Sequence, residues 1–336
     1  MTRRTIGMVL VAIGAFITAA AVTLFLAAPA VLVTLPYHPG DTDPDTGELE
    51  PLRTVARGEG LTVFYPGDLT QRSGVAATAV RNTVGRPDGT PGLGRDTAVW
   101  STGVVVTDEQ GTLITTTEFT GCLDRRLGSA VEPCPSASLN GSTSVRPTGQ
   151  LFGFPLDTQR RDYDFFDTST RAAFPARFVE ETELSGVPLY LFEQTVPETV
   201  IDRREVPADL AGSTAGGTVT AEVVYSNTRT LWVDPATGVI VKGSEQIDQS
   251  LRGPGGTRGA TLLAGTLTFD DATVAQQIGR VQESGSRIGL VNAAPLALGV
   301  LGAVLLVAGG LLMARPPARA GHRAGTRPLA GTRRGA

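Results

Sequence analysis

Residues able to do chemistry are sparse in this chain, and their placement argues against several reactions. The two histidines, His38 and His322, both fall outside the β-rich middle. A Ser–His–acid triad therefore has no base there, and a histidine-ligated metal has no ligands. No G-x-S-x-G elbow, Walker loop or H-E-x-x-H pattern occurs. Acid pairs such as Asp162/Asp164 and Asp108/Glu109 could flank a sugar, but among 33 acidic residues they read as solvated surface. Gly253-Pro-Gly-Gly256 lacks the strand–loop–helix setting and the lysine of a phosphate loop, and reads as a hairpin loop. Asp41, Asp43 and Asp45 alternate like the first ligands of a calcium loop. The turn glycine, however, comes one place late at Gly47, and Leu52 stands where a bidentate glutamate is needed. The expectation is a non-enzyme with no catalytic residue, cofactor or metal.

Two features remain that could serve binding or stability. Cys122 and Cys134 are the only cysteines. An even count in a segment read below as exported predicts a structural disulfide, and so short a loop gives ~3 kcal/mol in the chain-entropy model. The second feature is aromatic: Phe152, Phe154, Tyr163, Phe165, Phe166, Phe174, Phe178, Tyr190 and Phe192 fall within 41 residues. They read either as solid core or as the lining of a cavity for an apolar ligand. Both readings put the rings inside.

The elements that must position these residues begin with two apolar stretches. Ile6 to Ala28 and Ile288 to Ala314 carry no charge, and arginines stand outside both: Arg3 and Arg4 before the first, six arginines after the second. Either is long enough as a helix to cross a hydrocarbon core of ~30 Å at ~1.5 Å per residue. Arginine collects on the cytoplasmic side, so both termini are expected in the cytoplasm and the middle outside the plasma membrane. Ala28-Pro29-Ala30 leaves open a cleaved signal instead of a first anchor. The spans hold no ionisable side chain for an ion path. Ala15/Ala19 and Gly299/Ala303 are small-xxx-small pairs that would permit close helix approach.

Whole-chain charge is −4. The tails hold eight basic residues and no acid, so the remainder has 21 basic against 33 acidic residues. A body this acidic is not expected to bind nucleic acid. The layout read from the chain is a cytoplasmic start (1–5), a first span (6–35), an acidic stalk (36–53), a β domain (54–270), a juxtamembrane helix (271–287), a second span (288–314) and a basic cytoplasmic tail (315–336).

Within the β domain, runs rich in Thr, Val and aromatics predict strands at Thr54–Tyr65, Ala76–Val84, Ala98–Thr107, Thr112–Phe119, Glu180–Leu184, Val187–Thr195, Thr230–Val233, Val239–Ile247 and Arg258–Phe269. Asp108–Gly111, Ser185-Gly186 and Asp234–Gly238 supply turns. The expected fold is a mainly β ectodomain, an antiparallel sandwich or partly open barrel, flanked by two transmembrane α-helices. Val274, Ile278 and Val281 recur with helical period after Asp270 and Asp271, either of which can cap.

Three segments carry a resemblance: Tyr163-Asp-Phe-Phe-Asp167, the run from Phe178 to Phe192, and Trp232-Val-Asp-Pro-Ala-Thr-Gly-Val-Ile-Val-Lys242. With both terminal spans they resemble the actinobacterial "porin PorA family" over nearly the whole chain. The family label implies a channel-related role and brings no catalytic residues. The Trp232–Lys242 stretch is also similar to the W-x-D-P-x-T-G hairpin of LolA-type lipid carriers. The layout is similar to that of class B scavenger receptors. The expected partners are the lipid bilayer and a lipid or other apolar envelope ligand. An envelope protein docking on the β domain, or a porin-related channel role, is the alternative.

Overall fold

The computed structural model describes residues 3–32, 34–43, 45–87, 96–214 and 216–314. The expected basic tail, 315–336, and His322 lie outside the described residues. The described residues form eleven strands: β1 Leu52–Tyr65, β2 Thr70–Pro87, β3 Thr97–Asp108, β4 Leu113–Asp124, β5 Ser138–Leu139, β6 Tyr163–Asp167, β7 Ala172–Leu184, β8 Val187–Pro207, β9 Thr218–Val233, β10 Ile240–Arg252 and β11 Arg258–Phe269. Helix α1 is Arg3–Leu32 and α2 is Asp271–Ala314.

The strands make one sheet in the order β5-β4-β3-β2-β1-β11-β10-β9-β8-β7-β6. Every strand pairs antiparallel with its neighbours in that order, which are its chain neighbours except that β5 and β6 do not pair and β1 pairs with β11. The result is an antiparallel half-barrel, the partly open barrel of the two expected architectures. Its first and last strands are hydrogen-bonded neighbours, with Ala56 opposite Phe269. The connections towards the apolar helices therefore leave the sheet side by side.

Local chemistry explains the hairpins. At β3–β4, Asp108 Oδ1 accepts the backbone N–H groups of Gln110 and Thr112. At β7–β8, Ser185 (φ 51°) and Gly186 (φ 79°) make the two-residue, positive-φ turn that matches strand twist. At β9–β10, Asp234 Oδ2 accepts from the Thr237 amide and hydroxyl. Gly238 there sits at φ 71° and its carbonyl accepts the N–H of Phe154 at 2.9 Å, which docks the 154–158 loop on the hairpin tip.

Alternation makes β5 and β6 run in the same direction, so the antiparallel pairing used elsewhere cannot join them. At one end of the gap, the chain following β4 lies across it. Asp124 N–H donates to Ser129 O, Ala130 N–H to Gly149 O, and Gln150 N–H to Asp164 O. The Cys122–Cys134 disulfide forms as expected and ties this strip to β4. The remainder of the gap is spanned by no strand among the described residues.

The segment read as a stalk, 36–53, does not stand away from the domain. Leu35 N–H donates to Arg125 O at 2.7 Å, Trp100 Nε1–H to Tyr37 O at 2.9 Å, and Arg280 to Pro39 O at 2.8 Å. Arg125 stacks 3.8 Å over the Tyr37 ring. The acidic residues drew the stalk reading, but two use their charge locally. Asp41 pairs with Arg280, and Asp43 Oδ1 accepts the amides of Asp45 and Thr46. β1 starts at Leu52, within the same segment.

Asp270 Oδ1 caps α2 by accepting the Thr273 N–H at 2.9 Å. Ile278 and Val281 then bury against Val187, Leu189 and Val241 on the convex face.

The chain divides into this β unit, Ala30–Leu290, and an apolar helical unit. The helical unit holds the two stretches long and apolar enough to cross a membrane, Arg3–Leu26 and Ala293–Ala314. They pack antiparallel along Gly7, Gly14 and Ala21 on one side and Pro295, Gly302 and Gly309 on the other, all buried. A Cβ added at Gly14 would come within 2.9 Å of Gly302 O, and one at Gly309 within 2.8 Å of Gly7 O. The small-xxx-small pairs singled out from sequence are not this seam: Ala15, Ala19 and Ala303 are exposed and a Cβ at Gly299 would meet nothing. The spacing of seven residues, not four, keeps the seam in phase over about four turns.

Candidate functional site

Register decides which side chains face the concave surface, because partners across a ladder share a face. Arg81 of β2 lies opposite Thr54 of β1 and Val104 of β3, and Val104 lies opposite Thr117 of β4. On the other half, Arg229 of β9 lies opposite Glu245 of β10, and Leu231 opposite Gly243. All of these residues line one partly open cavity of about 230 Å³. Val106, Ile247, Leu263 and Leu267 supply aliphatic wall, and Phe119, Phe269 and the loop residues Leu151 and Phe152 supply more apolar surface.

The nine aromatic residues separate in space. Phe152, Phe165 and Phe166 line the cavity. Phe154, Tyr163, Phe165 and Phe192 form a packed core with Phe178 and Tyr190 against it. Phe154 and Phe192 stack with centroids 4.5 Å apart and are fully buried, an arrangement worth ~0.5–1.5 kcal/mol beyond area burial. Phe174 is half-buried, and its carbonyl accepts from Gln194 Nε2 at 2.9 Å.

Beside this apolar surface lies a charged network. Arg229 donates to Gln194 Oε1 (2.8 Å) and Asp167 Oδ2 (2.6 Å), and its Nε stands 3.4 Å from Glu245 Oε2. The Tyr225 hydroxyl also donates to Asp167 Oδ2, at 3.1 Å, and Asn227 Nδ2 donates to Glu245 Oε2 at 3.0 Å. Gln194 Nε2 donates to Phe165 O at 2.6 Å, which ties β8 to the β6 edge. On the far wall Arg81 approaches Glu245 at 3.9 Å. Strands β2 and β10 are separated in the sheet by β1 and β11, so this approach crosses the concavity.

Electrostatics fixes the charge states. Burial alone would lower the Arg229 pKa, but Glu245, Tyr225 and Asp167 outweigh it and hold the guanidinium above its usual range. Burial would raise Glu245, yet Arg229 and Arg81 together depress it. Burial raises the Tyr225 phenol. Each group is locked in its ordinary ionisation state.

The polar members of this site escaped the sequence reading. Their signal was phase: Ala221, Val223, Tyr225, Leu231 and Val233 are buried at alternate positions, Val224 being the one buried residue out of step, and Asn227 and Arg229 occupy the same phase. A charged residue in step with an apolar face marks an interior position that requires a partner.

The fold and cavity define a class, an up-and-down β half-barrel carried with two apolar helices able to cross a membrane. The family model described as "Porin PorA" matches residues 6–311, and the chain belongs to that family. Two curated relatives, both called "Porin PorA", are similar in sequence. That of Corynebacterium resistens is 31% identical over 34% of this chain and 40% of its own length. That of Corynebacterium amycolatum is 25% identical over 53% of this chain and 59% of its own length. The chain spans about half the length of the curated relatives it matches.

Proposed function

We propose that this protein is a non-enzymatic component of the cell envelope, anchored in the plasma membrane by both apolar helices, with both termini cytoplasmic. Its β unit, outside the membrane, binds the apolar part of a lipid or similar envelope molecule in the concave cavity. The observation that carries the reading is that cavity: a recess open to solvent in which Val, Ile, Leu and Phe side chains make up about half of the wall, beside threonines and the charged network. At about 230 Å³ it falls below the ~300–1,000 Å³ typical of sites that engulf a whole drug-sized ligand. A single chain suits it better than an entire two-chain lipid. The non-enzymatic reading is supported by Glu245, whose depressed pKa beside two arginines makes it a weak general base.

The family's description favours a second reading, a part in a channel. A barrel that crosses a bilayer needs an apolar outer band. The convex face instead carries Asn82, Ser101, Glu118, Glu193, Thr228, Gln246 and Asp248, in register opposite to the cavity-lining positions. These polar residues, interspersed with exposed Val84, Val105 and Leu113, favour a channel contribution through the helices or partners over one through these strands.

The test is purification of the full chain from its native membrane in a neutral detergent, followed by mass spectrometry of what travels with it. A bound amphiphile is expected, and Val104→Trp, which fills the cavity, should displace it while leaving circular dichroism unchanged. An intact fold with no co-purifying amphiphile, or equal occupancy of Val104→Trp, would overturn the proposal.

A further inference from the structure

The cavity contains two guanidinium groups with opposite situations. Arg229 is saturated, with Gln194, Asp167, Tyr225 and Glu245 around it and a side chain only 10% exposed. Among the described residues Arg81 makes a single side-chain ionic contact, to Glu245 at 3.9 Å, beyond hydrogen-bond length, and its side chain is 44% exposed and lines the recess. Glu245 turns its Oε1 towards Arg81 while its Oε2 is engaged by Arg229 and Asn227, and Oε1 still stops short of hydrogen-bond length. A guanidinium has five N–H donors in a planar fork that matches carboxylate or phosphate oxygens two at a time. Here that fork points into a space walled by Val104, Ala79, Ile247 and Leu263.

We propose that the cavity selects an anionic amphiphile, and that Arg81 is the residue that receives its carboxylate or phosphate head while the apolar wall takes the chain. The inference rests on the apolar-ligand reading above and adds the charge and the position of the head. Two further facts support it. Enclosure already pulls the Arg81 guanidinium below the usual arginine range against the opposing pull of Glu245, so an added anion relieves a standing cost. The formal charges of Arg81, Arg229, Asp167 and Glu245 sum to zero, so selectivity comes from unused donors rather than from a general positive field.

The experiment is calorimetric titration of the full chain, in a neutral-headgroup detergent at low salt, with octanoate, octyl phosphate and octanol. Both anions should bind about tenfold or more tightly than octanol, a gap set by one charge-assisted hydrogen-bonded pair. The tighter of the two anions tells carboxylate from phosphate. Arg81→Gln should bring both down to the octanol level and leave octanol unchanged, and Arg81→Lys should fall between. Equal binding of octanol and the anions by the unaltered protein, or an Arg81→Gln loss shared equally by octanol, overturns the head-group assignment while the apolar cavity stands. Failure of all three to bind overturns both.

Discussion

Asp167 shows how much of the half-barrel's interior depends on single groups. It is fully buried, and its Oδ2 faces both Arg229 and Tyr225 while Oδ1 accepts the Thr170 amide at 2.7 Å. Asp167→Asn keeps the shape but leaves Arg229 with Glu245 as its one carboxylate. Removing a partner from a buried pair costs ~3–5 kcal/mol, and the surviving contact places this change near the lower end, read as a fall in denaturation midpoint. Glu245 gives a second prediction, in pH. Its pKa is depressed in the folded protein from a reference of 4.5, so the unfolded chain takes up the proton first as pH falls. Stability from this group is complete well above pH 4.5 and drains away below it, as pH descends through the folded value. Glu245→Gln should flatten part of the acid limb of a melting-temperature profile; an unchanged limb would show that Glu245 does not contribute.

At the scale of elements, the disulfide and the glycine seam each make one prediction. The strip held by Cys122–Cys134 bridges one end of the gap between the sheet edges. Replacing both cysteines by serine should lower stability by ~3 kcal/mol through the freed loop, measured by denaturant titration. In the helical unit Gly302 lies against Gly14 and Thr18. Gly302→Ile should separate the two apolar helices, read as lost disulfide cross-linking between cysteines placed at Val11 and Leu306. Gly299→Ile should leave the cross-link intact, because a Cβ there meets nothing.

Element boundaries also show what the sequence could and could not disclose. Hairpins were legible wherever turn chemistry was local, as at Ser185-Gly186 and Asp234–Gly238. The period of Val274, Ile278 and Val281 disclosed the first part of α2. The N-terminal three-quarters of β9 was missed because Asn227 and Arg229 occupy inward positions where the alternation rule expects apolar residues. Its partner Asp167 ends β6, a five-residue strand too short to announce itself. Polar groups satisfied only by long-range contacts look locally like surface. The aromatic run disclosed an interior but not its division, because Phe165 touches both the packed core and the cavity.

For the whole molecule, antiparallel packing of the two apolar helices puts Arg3 and Ala314 at one end of the helical unit. If both helices cross a bilayer, the termini share a side. Protease added to intact spheroplasts should cut exposed sites such as Arg177 and Arg204 in the β unit and spare a C-terminal tag. Protection of Arg177 and Arg204 until lysis would reverse the proposed orientation.

The parity of the strands carries its own lesson for design. With eleven strands the two rims run in parallel, and a ring of alternating directions needs an even number. Any graft that joins the rims must therefore add an odd number of strands, because an even number would leave one pairing parallel.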